Sequence, residues 1–307
     1  MVMHVLFDFG GPVMDDIGVE HVRAEYEFEA ASRSGIYERI AVNAERLIPG
    51  SHDLLEKIDG KRFAEIYPEA KQHLKNMFSG AEAYSDINRV GMTAALLLGT
   101  SEHTEVIFGR VIEDISEGEI QRFWGELCSY VEPKVYEGIR EEFFDAVSEI
   151  LDSTPGVGVH IVTDNWPEFY LGAIEPALRR RIEKARERGR NVPRFAYRHF
   201  GEEPISDSHA YISGEGWGNK INPKTWKNIL VDDLNVCEDR VIFVDDSLKK
   251  LGGLRRFADE YRDSCAKALK VTLVQFSVEE SEEEIRDEGV VRIANIYEVV
   301  NIVGSNA

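Results

Sequence analysis

Long hydrophobic runs are missing from this 307-residue chain. A helix that spans a bilayer needs about 20 mostly apolar residues, so a membrane bundle is excluded. Basic charge is also scarce, with 36 Lys and Arg against 56 Asp and Glu and a formal charge of −20. Binding to nucleic acid requires clustered cations to neutralise phosphates, so no nucleic-acid partner is expected. The one basic cluster, Arg179 to Arg190 (RRRIEKARERGR), alternates in sign at helical spacing and reads as a solvated helix. Only three cysteines occur, Cys128, Cys237 and Cys265, odd in number and widely spaced. They support neither a disulfide framework nor a zinc site, and fit reduced thiols in the cytoplasm. The opening MVMHVLFDF has no basic head and no long apolar segment with a small-residue cleavage site. It reads as a first strand and not as a signal peptide, and a cytoplasmic location is expected.

What is present is ordinary globular material, 43% hydrophobic and 30% charged, with more chain than one typical domain needs. The stretch HVLFDFGGPV places the apolar run Val5-Leu6-Phe7 before a sharp break at Gly10-Gly11-Pro12. Asp8 closes that run. A carboxylate in core-like surroundings needs a partner, a metal or a capping role, and an Asx-turn into Gly-Gly is the plain alternative. From Asp15 to about Tyr130 the periodicity is helical, over Val19–Arg33, Ile36–Leu47, Lys61–Phe78 and Glu117–Tyr130, with MTAALLL at 92–98 as a buried helical run.

From about Tyr136 the pattern alternates. A helix over Glu137–Leu151 stops at DSTPG, and VGVHIV at 157–162 forms a strand that closes on Thr163-Asp164-Asn165. A helix from Pro167 to about Arg188 follows, then a strand at Ala210–Ser213. The GEGWGN stretch lacks the spacing of a dinucleotide fingerprint and reads as an exceptionally flexible loop leading to Lys220. Pro223 opens a helix to about Leu234, RVIFV ends at Asp245-Asp246-Ser247, and strands at Lys270–Phe276 and Val290–Ile293 precede a last helix at Ile296–Ile302. Alternating strands and helices predict an α/β fold, a doubly wound parallel sheet whose strands end along one ligand-binding edge.

Three apolar strands thus end in polar groups, at Asp8, Thr163 and Asp245-Asp246, and Lys220 follows a fourth. A carboxylate nucleophile, an anion-binding hydroxyl, a charge-neutralising Lys and an acidic pair for a hard cation suit phosphoryl transfer. In order and strand context these motifs, FDFGG at 7–11, IVTDN at 161–165, Lys220 in GNKINPKTW and FVDDS at 243–247, resemble those of the haloacid dehalogenase-like (HAD) superfamily. The resemblance covers residues 1–16 and 136–307 as a HAD-like α/β core, with 17–135 as an inserted, mainly helical cap. It implies a Mg²⁺-dependent phosphohydrolase acting on a small phosphorylated metabolite through an aspartyl-phosphate. Asp8, Thr163 and Lys220 would be catalytic, Gly11 and Asn165 substrate-binding, and Asp8, Gly10, Asp245 and Asp246 the metal site. Lys220 fits the third motif better than Lys224, because Asn222-Pro223 follows it.

Two positions depart from the family pattern. Gly10 stands where its phosphatases usually carry a second Asp as general acid and base, a loss of order 10²–10⁴-fold in rate. Lys249-Lys250 replace the Asp or Asn common after the acidic pair, which would alter Mg²⁺ affinity. A catalytically weak HAD-fold protein with a regulatory or partner-binding role is therefore the alternative. His4 and His160 read as satisfied core or surface histidines and Trp166 and Trp217 as packing or substrate-stacking residues. The acidic run Glu279–Glu284 reads as solvated.

Overall fold

The computed structural model describes residues 3–15, 17–78, 85–99, 104–202, 208–236, 240–264, 269–277 and 289–306. Cys237, Cys265 and the Glu279–Glu284 run lie outside them. The chain divides into two compact units: Met1–Asp16 with Tyr136–Tyr170 and Glu175–Ala307, and Ile17–Val135 with Leu171–Ile174.

The first unit is a seven-stranded sheet in which every pair is parallel. Its strands are β1 (Met3–Asp8), β2 (Gly158–Thr163), β3 (Ala196–Tyr197), β4 (His209–Ile212), β5 (Arg240–Asp245), β6 (Lys270–Phe276) and β7 (Val290–Ile293). Their spatial order is β3-β4-β2-β1-β5-β6-β7. The chain fills one side of β1 before crossing to the other, so the order reverses between β1 and β5. In open α/β sheets ligands bind at that reversal, outside the carboxyl ends of the strands.

β1 is central and wholly buried, which is why its sequence reads as a continuous apolar run and not as an alternation. Successive side chains still point to opposite faces. Leu6 joins a cluster with Trp226, Phe243, Leu230 and Leu254, whereas Phe7 meets Phe143 edge-on at 5.2 Å between ring centroids. Burying each such side chain contributes roughly 1.5–3 kcal/mol, and the two faces together fix β1 between helical layers. These layers include α8 (Glu141–Ser153), α11 (Pro223–Trp226) and α12 (Leu248–Ser264), the last unmarked in the sequence reading.

Several boundaries differ from the sequence expectations. The expected helix from Glu137 is split: α7 (Glu117–Gly138) runs past Tyr136, and Ile139 pairs with Met14 in an antiparallel bridge before α8 begins. The helical stretches that open at Pro167 and Pro223 contain π-helical turns, Tyr170–Ile174 and Lys227–Asp233. Trp217 belongs to the core: it is 3% exposed, packs against Tyr211 and donates its indole N–H to the Arg198 carbonyl at 2.8 Å. That anchor, with Ser213 Oγ donating to the Gly218 carbonyl at 2.8 Å, ties the glycine-rich loop to the strands beside it. In the basic segment, Arg179, Arg180, Lys184 and Arg186 are exposed, consistent with a solvated helix face, whereas the half-buried Arg181 and Arg190 pair with Glu141, and Arg190 also with Asp145.

The elements of the second unit, among its described residues, are all helices: α1 (Ile17–Ser34), α2 (Ile36–Leu47), α3 (Ser51–Leu55), α4 (Gly60–Met77), α5 (Asp86–Leu97), α6 (Thr104–Val111) and most of α7. In α2 the buried positions Ile36, Tyr37, Ile40, Ala41 and Ala44 recur at helical spacing. Its core also holds a polar knot. Glu27 accepts from Arg23 at 3.0 Å and Tyr67 at 2.7 Å, and Asp86 accepts from Arg23 at 2.7 Å and Arg89 at 3.1 Å. Burial and the neighbouring Asp86 push the Glu27 carboxyl well above its usual range.

The histidines of the sheet are not isolated. His160 Nδ1 accepts the His209 backbone N–H at 3.3 Å, so a neutral His160 carries its proton on Nε2, 3.2 Å from His4 Nδ1. Gly158 leaves room for this pair, since a Cβ there would lie 2.8 Å from His160 Nε2. Burial, with His4 and His209 nearby, holds the His160 imidazole well below its usual pKa. Its folded-state pKa is thus depressed, and below pH ~6.5 the unfolded chain takes up a proton that the folded chain refuses. Stability is therefore expected to be flat in this group above pH ~6.5 and to fall by up to about 1.4 kcal/mol per pH unit below it. Urea unfolding at pH 8, 6.5 and 5 checks this. A slope in His160→Leu equal to the wild-type slope would assign the acid sensitivity elsewhere.

Candidate active site

The first three sequence motifs and the acidic pair meet at the carboxyl ends of β1, β2 and β5. Phe7 pairs with Val244 and Asp8 with Val162, so Asp8 ends its strand beside Thr163 on one side and Asp245 on the other. All three are nearly inaccessible, with Asp8 at 3%, Thr163 at 2% and Asp245 at 0% exposure. Lys220 is completely buried and enters between the carboxylates, its Nζ 2.5 Å from Asp8 Oδ1 and 3.0 Å from Asp245 Oδ2.

The backbone around Lys220 explains this precision. Its N–H donates to Asp164 Oδ1 at 3.2 Å, and its carbonyl accepts the Trp226 indole N–H at 2.7 Å. Asn222 caps the first turn of α11 through the Lys224 N–H at 2.9 Å, where Pro223 occupies the position that needs no donor. Gly253 of α12 lies so close that a Cβ would stand 2.1 Å from the Lys220 carbonyl oxygen. Only glycine lets α12 approach the loop this far.

Charge sets the protonation pattern. Burial raises the Asp8 pKa, but Lys220 and Lys250 outweigh it and hold the carboxyl below its usual range. Burial lowers the Lys220 pKa, and Asp245 with Asp8 more than reverses this, so the ammonium keeps its proton. Burial and the charge of Asp8 push Asp245 well above the carboxylate range. Asp245 Oδ1 accepts the Ser247 N–H at 2.8 Å, while the buried Oδ2 has no hydrogen-bond partner beyond its ion pair with Lys220.

The remaining expected residues lie as follows. Asn165 donates its amide to Thr163 Oγ1 at 2.7 Å. Gly10 forms a parallel bridge with Met14 in the turn after β1. Gly11 has φ +77° and lies against Asp246, whose Cβ would be 3.0 Å from an added Cβ; its carbonyl accepts Arg140 Nε at 2.9 Å. Lys224 is used through its backbone and not its ammonium. Carboxylate oxygens of Asp8, Asp245 and Asp246 lie within 4.8 Å of one another. Hard oxygen donors at this spacing, with a buried Asp245 oxygen held only by its ion pair with Lys220, fit a Mg²⁺ ion that keeps several waters.

Two residues outside the expected set belong to the site. Lys250 Nζ lies 3.4 Å from Asp8 Oδ2 and 3.5 Å from Asp164 Oδ2, and Asp164 also steers the Lys220 backbone. Lys250 left a signal in the sequence. The first turn of α12 holds no acid but carries Lys249 and Lys250, against the helix dipole. A local rule broken without local compensation often marks a functional position.

The fold and site together define a parallel α/β protein with a carboxylate–lysine centre at its topological switch point, in the layout that the four motifs imply. No protein-family model and no curated protein matches the sequence. Solved structures do resemble it. They include a 2-haloacid dehalogenase from Pseudomonas syringae pv. Tomato DC3000, at 13% identity and TM-score 0.47 over 100% of both chains. A dehalogenase with an intermediate complex aligns at 11% identity and TM-score 0.46, over 98% of this chain and 96% of its own. YfnB from Bacillus subtilis, a HAD-hydrolase by its description and bound to magnesium, aligns at 13% and 0.45 over 98% of each chain. No helix among the described residues is long and apolar enough to cross a membrane.

Proposed function

We propose that this chain is a Mg²⁺-dependent phosphohydrolase of the cytoplasm, acting on a small phosphorylated metabolite by way of an aspartyl-phosphate on Asp8. The observation that carries the reading is Asp8 itself, a buried carboxylate kept ionised by Lys220 and Lys250 at the end of the central strand. Asp8, Asp164 and Asp246 supply carboxylates around the ammonium groups of Lys220 and Lys250, and with Asp245 held toward its neutral form the centre has a formal excess of one negative charge. A phosphate dianion is repelled by such a site unless a divalent cation balances it.

Asp8, Asp245 and Asp246, with the Gly10 carbonyl, would hold Mg²⁺, which when bound supplies charge neutralisation at the transferring phosphoryl group. Asp8 attacks phosphorus, the bond to the leaving oxygen breaks, and the phosphoryl group passes to the Asp8 carboxylate. Lys220 steadies the negative charge, and Thr163 with Asn165 hydrogen-bonds the phosphoryl oxygens. Gly10 offers no acid, so the leaving oxygen takes its proton from water, which favours leaving groups that are already weak bases. Water then releases inorganic phosphate from Asp8.

Phosphate release from an aryl phosphate and a panel of monoesters tests this. Turnover that requires Mg²⁺ and stops on chelation is the expected result. No release from any ester by folded protein would favour the second reading, which Gly10 motivates: a HAD-fold protein that binds an anion or partner without turnover.

A further inference from the structure

The carboxylate of Asp8 has two oxygens, and an ammonium group already holds each of them. Lys220 Nζ is 2.5 Å from Oδ1, and Lys250 Nζ is 3.4 Å from Oδ2. A divalent ion that uses Asp8 must approach one of these cations closely, and like charges repel strongly wherever the local dielectric is well below that of water. Lys220 cannot give way. Its side chain is fully buried, anchored a second time on Asp245, and fixed through both backbone groups to Asp164 and Trp226.

Lys250 is different on each count. Its ammonium contacts are longer, at 3.4 and 3.5 Å, and its side chain retains 26% exposure. It stands on the first turn of α12, where the helix dipole adds no support to a cation. Its flexible four-carbon stem lets the charge move without the backbone. It therefore lies on the open side of the nucleophile, where substrate must arrive.

We propose that Lys250 is a resident counter-ion that competes with Mg²⁺ for Asp8 and yields when its ammonium transfers to the phosphate group of the substrate. The metal then binds weakly to the empty site and tightly to the substrate-loaded one. By linkage the reverse holds equally, so Mg²⁺ and phosphate recruit each other. This inference rests on the reading of Asp8, Asp245 and Asp246 as a Mg²⁺ site.

Calorimetric titration of Mg²⁺ into wild type, Lys250→Met, Lys250→Gln and Lys250→Arg, with and without inorganic phosphate, tests it, with circular dichroism confirming the fold. Without phosphate, the two uncharged variants are expected to bind Mg²⁺ about tenfold more tightly than wild type, and Lys250→Arg to stay near wild type. Phosphate should tighten Mg²⁺ binding to wild type by a larger factor than binding to Lys250→Met. Binding to Lys250→Met but not to wild type would support the competition in its strongest form. Equal Mg²⁺ affinity in wild type and Lys250→Met, within twofold, would overturn the role of Lys250 and leave the metal site standing. Absence of binding in every folded variant would instead overturn the metal site, and this inference with it.

Discussion

Asp8→Asn is expected to lower Mg²⁺-dependent phosphate release by at least about 10³-fold, the order of loss seen when a covalent nucleophile is removed. Asn keeps the size of the side chain and can still hydrogen-bond, so the substitution removes the negative oxygen that attacks phosphorus, and with it one carboxylate of the metal site and the charge paired with Lys220. It should also leave no acid-stable, base-labile phosphoenzyme label after brief exposure to substrate. In wild type that label is expected to accumulate, because Gly10 provides no base to activate water for the second step. Release from Asp8→Asn at more than about a tenth of the wild-type rate would place the chemistry on another residue.

Lys220→Met should be the most damaging single change to stability. It leaves Asp8 and Asp245 facing each other in a site where Lys220 Nζ now stands 2.5 and 3.0 Å from their oxygens. Removing one partner from a buried ion pair costs about 3–5 kcal/mol, because the remaining charge is uncompensated. For a chain of this size that corresponds to a fall in Tm on the order of 10 °C. The variant should also extend to Asp8 the pH response that Asp245 already shows. Without the ammonium, the folded-state pKa of the paired carboxyls lies above the unfolded value of about 3.9, so stability is gained as pH falls from 7 toward 5. Adding Asp245→Asn should recover part of the loss, a coupling that a double-mutant cycle in urea would measure. A Lys220→Met variant within about 1 kcal/mol of wild type at pH 7 would show that burial of this triad is far more hydrated than the side-chain exposures imply.

The strands at the heart of the sheet were legible because being buried on both faces forces a continuous apolar run, as in VLF at 5–7 and VIFV at 241–244. Helix α2 was legible for the complementary reason, since one buried face imposes a 3.6-residue period. The two-residue strand β3 left no such trace, because an edge pair too short to alternate carries no pattern. The π-helical turns were equally silent. They shift hydrogen bonds by one residue, as in Leu234 N–H to the Ile229 carbonyl, without changing which residue types favour a helix.

Asp8, Thr163, Lys220 and Asp245-Asp246 could be found from the sequence because each breaks an apolar strand or follows a glycine-rich loop. Local cost makes such residues conspicuous: a carboxylate is expensive to bury, so its presence at a strand end signals a partner. Pairing is another matter. Lys220 joins Asp8 to Asp245 across more than 200 positions, and His160 serves His209 and His4 across three strands. Composition and periodicity thus determined the parallel α/β class, the helical stretch within it and the carboxyl-edge location of the chemistry, because these follow from local burial and chain order. The tertiary structure alone decided which charges face each other, above all that Lys250 occupies the second oxygen of Asp8, because ion pairing depends on distances of a few ångström that distant segments set only when they pack.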